Sequence, residues 1–159
     1  MDLPDRKLPR LTKYNYANDG YYFVTICTHN NSHLFGDTNS LNEIGAIAKN
    51  ELTKIPTHFE HIKIDKYVIM PNHIHCIVII GCNTEAKRSR PFPTLSNIIG
   101  LYKSGVSKNV HSLHPGISVW QKSFHDHIIR TEKDYRNIWK YIDENPAKWA
   151  EDTYYCDNS

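Results

Sequence analysis

The stretch Tyr67-Val-Ile-Met-Pro-Asn-His-Ile-His-Cys-Ile-Val-Ile-Ile80 constrains this chain more than any other. Pro71-Asn72 is a tight connection between two strands, Ile62 to Met70 and His73 to Ile80. The second is an apolar run that reads as a buried strand, and His73 and His75 stand at its start. Side chains alternate along a strand, so residues i and i+2 share a face. Two imidazoles side by side on a rigid element are a natural pair of metal ligands. The alternative is a solvated or hydrogen-bonded pair at a strand end.

At 159 residues the chain fits one domain spanning 1–159, long enough to bury a core. With 40% hydrophobic and 23% charged residues, disordered and collagen-like classes are excluded. A net charge of +2 permits nucleic-acid binding without demanding it, so any footprint must be local. Cys27, Cys76, Cys82 and Cys156 form no C-x-x-C pair and read as reduced thiols of a cytoplasmic protein. Met1 to Lys7 lacks the apolar stretch of a signal peptide. The longest apolar run, Cys76 to Gly81, is too short to span a bilayer.

Residues 1–20 read as an irregular arm, and Tyr21 to Thr28 as the first strand. Ser40, with Glu43 at the capping-box position, is expected to cap a helix carrying Leu41, Ile44, Ile47, Ala48, Leu52 and Ile55, stopped by Pro56. Gly81 to Pro93 is a polar loop. Thr94 caps a second helix holding Leu95, Ile98, Ile99 and Tyr102, followed by a loop over His111 to Gly116. Val119 to Arg130 reads as the fourth strand. Thr131 caps a third helix to about Asn145, and a polar tail covers 150–159. The order β-α-β-β-α-β-α predicts an α+β fold: a ferredoxin-like antiparallel sheet, helices on one face, and an added C-terminal helix.

That third helix has an apolar stripe of Tyr135, Ile138, Trp139 and Ile142. Tyr141 and Asn145 lie beside it, four residues apart and so on one face. Pro146 disfavours the α conformation at Asn145 and should end the helix there. An amide oxygen is an acceptable ligand for Mg²⁺ or Mn²⁺. A tyrosine beside such a metal suggests attack on a phosphodiester, with the metal polarising the phosphate. Packing is the alternative role for such a tyrosine.

Four segments together resemble the single-tyrosine HUH transposases, and most closely the REP-associated tyrosine transposase group, related to the transposases of the smallest insertion sequences. They are Tyr21 to His29; Met70-Pro-Asn-His-Ile-His75; Val119 to Arg130 with Tyr141-Ile-Asp-Glu-Asn-Pro146; and, more weakly, Leu95 to Ser104. The resemblance covers roughly residues 8–149 and implies the HUH endonuclease fold. It also implies that His73 and His75 bind a divalent metal, Mg²⁺ or Mn²⁺, and that Asn145 completes the site. It makes Tyr141 the nucleophile of a metal-dependent endonuclease and transposase that cleaves and rejoins hairpin-bearing single-stranded DNA. The 5′-phosphotyrosine intermediate releases a 3′-hydroxyl that can reverse the reaction, so no nucleotide cofactor is needed. REP-like palindromes would be the partners. Family members occur as monomers and as homodimers that exchange the tyrosine helix. A hairpin-binding module without cleavage and a phosphodiesterase using activated water are the competing readings.

His125 and His127 form a second H-x-H pair, a rival or supporting element of the site. Tyr135 is the rival nucleophile. Cys76 should point away from the histidine face, into the core. For DNA contacts the candidates are Lys87, Arg88 and Arg90, extended by Lys103, Lys108, Lys122 and Arg130. An N-terminal arm with Arg6, Lys7, Arg10, Lys13, Tyr14 and Tyr16 could add to them.

Overall fold

The computed structural model describes residues 20–81 and 93–151. The first strand, β1 (Gly20–Cys27), leads through a short 3-10 turn into a miniature hairpin of β2 (Gly36–Asp37) and β3 (Ser40–Leu41). Helices α1 (Glu43–Thr53) and α2 (Ile55–His58) follow, then β4 (Ile62–Met70) and β5 (His73–Ile80). Helix α3 (Leu95–Leu113), strand β6 (His125–Ile129) and helix α4 (Glu132–Glu144) complete the order. The main sheet runs β4-β5-β1-β6, with every neighbouring pair antiparallel. This is the ferredoxin-like arrangement that the element order predicts.

All eight residues of β5 are buried, because helices cover both sheet faces. Ile74, Cys76, Val78 and Ile80 pack with Ile44, Ala48 and Leu52 of α1 and Ile98, Ile99, Tyr102, Val106 and Val110 of α3. Ile77 and Ile79 face the other way and meet Tyr135, Ile138 and Ile142 of α4. Strand alternation therefore puts His73 and His75 beneath α4 and Cys76 in the core, as its parity requires.

Several boundaries differ from expectation, each for a local reason. Asn42, not Ser40, caps α1: its side-chain oxygen accepts from Gly45 N–H at 2.8 Å, while Ser40 and Leu41 pair as β3. Pro56 does not end α1, which stops at Thr53; it sits in the first turn of α2, where a missing N–H costs nothing. Helix α3 runs on to Leu113 because Val106 and Val110 continue its buried stripe. The fourth strand shrinks to His125–Ile129 plus an isolated bridge between Thr28 and Trp120. Ser123, at φ 68°, interrupts it. Asn145 keeps helical angles as the C-cap of α4 despite Pro146.

No helix among the described residues is long and apolar enough to cross a membrane. Most of the expected N-terminal arm, the basic loop and the polar tail lie outside the described residues, and with them Arg10, Lys87, Arg88 and Arg90.

Candidate active site

The antiparallel register of β1 and β5 builds the site from the sheet upward. Thr25 lies opposite His75, and Cys27 opposite His73. Both imidazoles are buried, with ring centroids 4.5 Å apart. Each is held through Nδ1. His73 Nδ1 meets Asn72 Oδ1 at 2.7 Å, and the Asn72 amide nitrogen donates to the Asn31 carbonyl. The amide oxygen therefore faces the ring, and His73 carries its proton on Nδ1. His75 Nδ1 meets the Thr25 hydroxyl at 2.8 Å. A hydroxyl can accept from that nitrogen, and in that tautomer both histidines present an Nε2 lone pair, the form that binds a metal.

Helix α4 brings the Tyr141 side chain to these nitrogens. The Tyr141 hydroxyl stands 3.5 Å from His75 Nε2, and their rings are 5.2 Å apart. Tyr141 is 39% exposed, so solvent and a ligand can reach it. One turn on, Asn145 is 3% exposed. Its side-chain oxygen and His73 Nε2 are buried atoms with no hydrogen bond. Phe23 closes one side, its ring 5.3 Å from His75 and 6.1 Å from Tyr141. Trp149 closes another, its ring 5.8 Å from His73. The candidate donors are thus two imidazole nitrogens and the amide oxygen one turn past Tyr141. Among the described residues no group of three His, Cys, Asp or Glu side chains could hold a metal. A divalent ion here would need the amide, water or substrate oxygens as well, which suits Mg²⁺ or Mn²⁺ better than structural zinc.

Tyr135 is removed from this chemistry. It is buried, and its hydroxyl donates to the Asp65 carboxylate on β4. His125 and His127 lie on the site's sheet face, opposite Thr25 and Phe23 across β1, but both are exposed. His127 pairs with Asp134 of α4 at 2.7 Å.

No protein-family model matches the chain. An uncharacterised Haemophilus influenzae protein is 36% identical over 169 residues, spanning 96% of this chain and 94% of that protein. An Escherichia coli K12 REP-associated tyrosine transposase is 33% identical over 89 residues, 54% of this chain and 45% of that protein. A second Haemophilus influenzae protein, provisionally named for the same family, is 26% identical over 144 residues, 84% and 76% of the two chains. The solved structure of a REP-associated tyrosine transposase bound to a REP hairpin matches with a TM-score of 0.63. That match is 24% identical and covers 86% of this chain and 72% of that one, which speaks for the fold. The chain belongs to the REP-associated tyrosine transposase family.

In this family member the basic candidates scatter. Lys103 turns inward: its ammonium donates to the Gln121 and Ser123 carbonyls at 2.9 and 2.8 Å. Burial lowers its pKa. It holds the segment before β6 in place. Lys122 lines a surface cavity of about 600 Å³ with His29, Asn30, Asn31, Trp120 and Gln121. Lys108 borders a second cavity on the helical face, with Leu101 and Phe59, far from the histidine face of the sheet. Arg130 is exposed at the end of β6. Sequence reading missed Thr25, Asn72, Phe23 and Trp149. The first three carried a signal: Phe23 and Thr25 alternate within the first family-like segment, and Asn72 directly precedes His73.

Proposed function

We propose that this transposase-family chain is a metal-dependent single-strand DNA endonuclease and strand transferase acting on hairpin-bearing DNA through Tyr141. One observation carries the reading: a half-exposed tyrosine hydroxyl lies 3.5 Å from an imidazole that is buried, oriented and paired with a second. Tyr141 Oη would attack the scissile phosphorus as its proton departs. A P–O bond forms to the tyrosine, the bond to the 3′-oxygen breaks, and that oxygen leaves as a 3′-hydroxyl after protonation. The 5′-phosphotyrosine conserves the phosphodiester's reactivity, so a 3′-hydroxyl can reverse the step. His73, His75 and Asn145 would hold Mg²⁺ or Mn²⁺, whose contribution is to polarise the phosphate. Asn72 sets the His73 tautomer, and Thr25 holds the His75 ring in place. Phe23 and Trp149 limit water on either side.

The hairpin substrate is supported by the solved relative, which is bound to a REP hairpin. The decisive experiment is covalent trapping with labelled hairpin DNA and Mg²⁺ or Mn²⁺ on a denaturing gel. A protein–DNA band should form with the wild type and vanish with Tyr141→Phe and His73→Ala. Cleavage without that band would replace the tyrosine by water. Binding without cleavage over a broad hairpin set would leave a binding module.

A further inference from the structure

Strand β4 departs from regular pairing at one point. Ile64 pairs with Val78 and Lys66 with Ile77, so Asp65 is an extra residue, a β-bulge. In an unbroken strand Asp65 and Lys66 would point to opposite faces. Here both serve the α4 face. The Asp65 side chain is fully buried, accepts from the Tyr135 hydroxyl, and has Lys63 Nζ 3.6 Å away. Lys66 Nζ donates to Asp143 at 2.8 Å and lies 4.0 Å over the Trp139 ring. Two neighbouring residues of one strand thus hold three α4 side chains on successive turns.

At about 100° per residue, Tyr135, Trp139 and Asp143 form one flank of α4. Ile138 and Ile142 form the buried centre, and Tyr141 and Asn145 the opposite flank. Apolar packing along the centre tolerates a roll about the helix axis better than it tolerates separation. A roll is the motion that would carry Tyr141 away from His75. On the Tyr141 flank the His127–Asp134 pair is exposed and so weak by position. The β4 flank carries the buried grip.

We infer that the Asp65–Lys66 bulge sets the rotation of α4 and thereby positions Tyr141 at the histidines; Asp65 and Lys66 are positioning residues. The inference rests on Tyr141 as nucleophile only for its catalytic consequence. Single-turnover covalent-complex formation at saturating hairpin DNA should fall about 10- to 100-fold in Asp65→Ala and Tyr135→Phe. Hairpin affinity should stay within about two-fold, because neither residue is exposed to a strand. Asp65→Asn should recover most of the rate, since its amide oxygen still accepts from Tyr135. The double variant Asp65→Ala/Tyr135→Phe should be no slower than either single. A fluorotyrosine placed at 141 supplies a readout independent of cleavage. Its ¹⁹F resonance should coincide in wild type and Asp65→Asn and move in Asp65→Ala and Lys66→Met. An unmoved resonance, or Asp65→Asn as slow as Asp65→Ala, overturns the inference. If the wild type forms no covalent complex, the proposed chemistry fails while the ¹⁹F comparison still decides the positioning.

Discussion

Thr25→Val tests whether the sheet orients the two histidines proposed to bind metal or only packs them. The substitution keeps the β-branched shape and removes one hydroxyl, the partner of His75 Nδ1 at 2.8 Å. Thr25 is 4% exposed and His75 1%, so water does not readily replace the lost bond. A buried nitrogen left without its partner costs about 1–3 kcal/mol. For a domain of this length each kcal/mol lowers Tm by about 2–4 °C. The functional effect is separate. Without the hydroxyl, the proton can move to Nε2 and remove the lone pair that a metal needs. Loss of such an outer partner typically weakens metal affinity or activity about 10- to 100-fold, or about 1.4–2.7 kcal/mol. Covalent-complex formation should therefore require that much more Mn²⁺ for half-saturation, and high Mn²⁺ should restore much of the rate. Melting curves and Mn²⁺ titrations of the two proteins read both effects. A lower Tm with an unchanged Mn²⁺ midpoint would refute the orienting role.

Two helix glycines should respond oppositely to alanine. A Cβ at Gly45 would clash with the Phe35 carbonyl oxygen, so Gly45→Ala should destabilise despite alanine's helix propensity; Gly100 has open space, and Gly100→Ala should stabilise by about 1 kcal/mol, both read by urea denaturation. Ile142→Ala, at a fully buried α4 position, should cost about 2–5 kcal/mol and expose α4 amides to hydrogen exchange before those of β5. Burial pushes the Cys76 thiol up to about 12 and Tyr102 well above its ordinary value. The folded thiol stays protonated where the unfolded one ionises, so stability holds below about pH 9. It is then lost by up to about 1.4 kcal/mol per pH unit as pH rises towards 12. Denaturation midpoints at pH 8.5, 9.5 and 10.5 should show this loss, and Cys76→Ala should flatten it.

What could be read from the chain without its structure was what periodicity encodes. The parity of His73 and His75, the i, i+4 relation of Tyr141 and Asn145, and the bounds of β4 and β5 all follow from spacing within one element. The partners of those residues do not. Thr25 meets His75 only because β1 and β5 pair in one register, a relation between segments 50 positions apart. Ser40 and Asn42 are equally good caps in isolation. The β2–β3 hairpin, a tertiary preference of two-residue strands, decides between them. The bulge at Asp65 was invisible because it exists only relative to β5. Lys103 reads as a solvent-seeking cation until the carbonyls of Gln121 and Ser123 are seen above it. The resemblance named Tyr141 over Tyr135. The geometry separates them by what each hydroxyl touches, His75 or Asp65.

Tyr141 and Asn145 belong to the same turn-and-a-bit of one helix, while His73 and His75 belong to the sheet. On the proposed chemistry this makes the active site a two-part key. A molecule whose α4 has swung away loses its nucleophile and its amide ligand together. What remains on the sheet is a histidine pair with one ligand fewer for a metal. Stray hydrolysis of a genome's single strands, the hazard of a nuclease that waits between rare events, is thereby tied to the same docking that enables the reversible reaction.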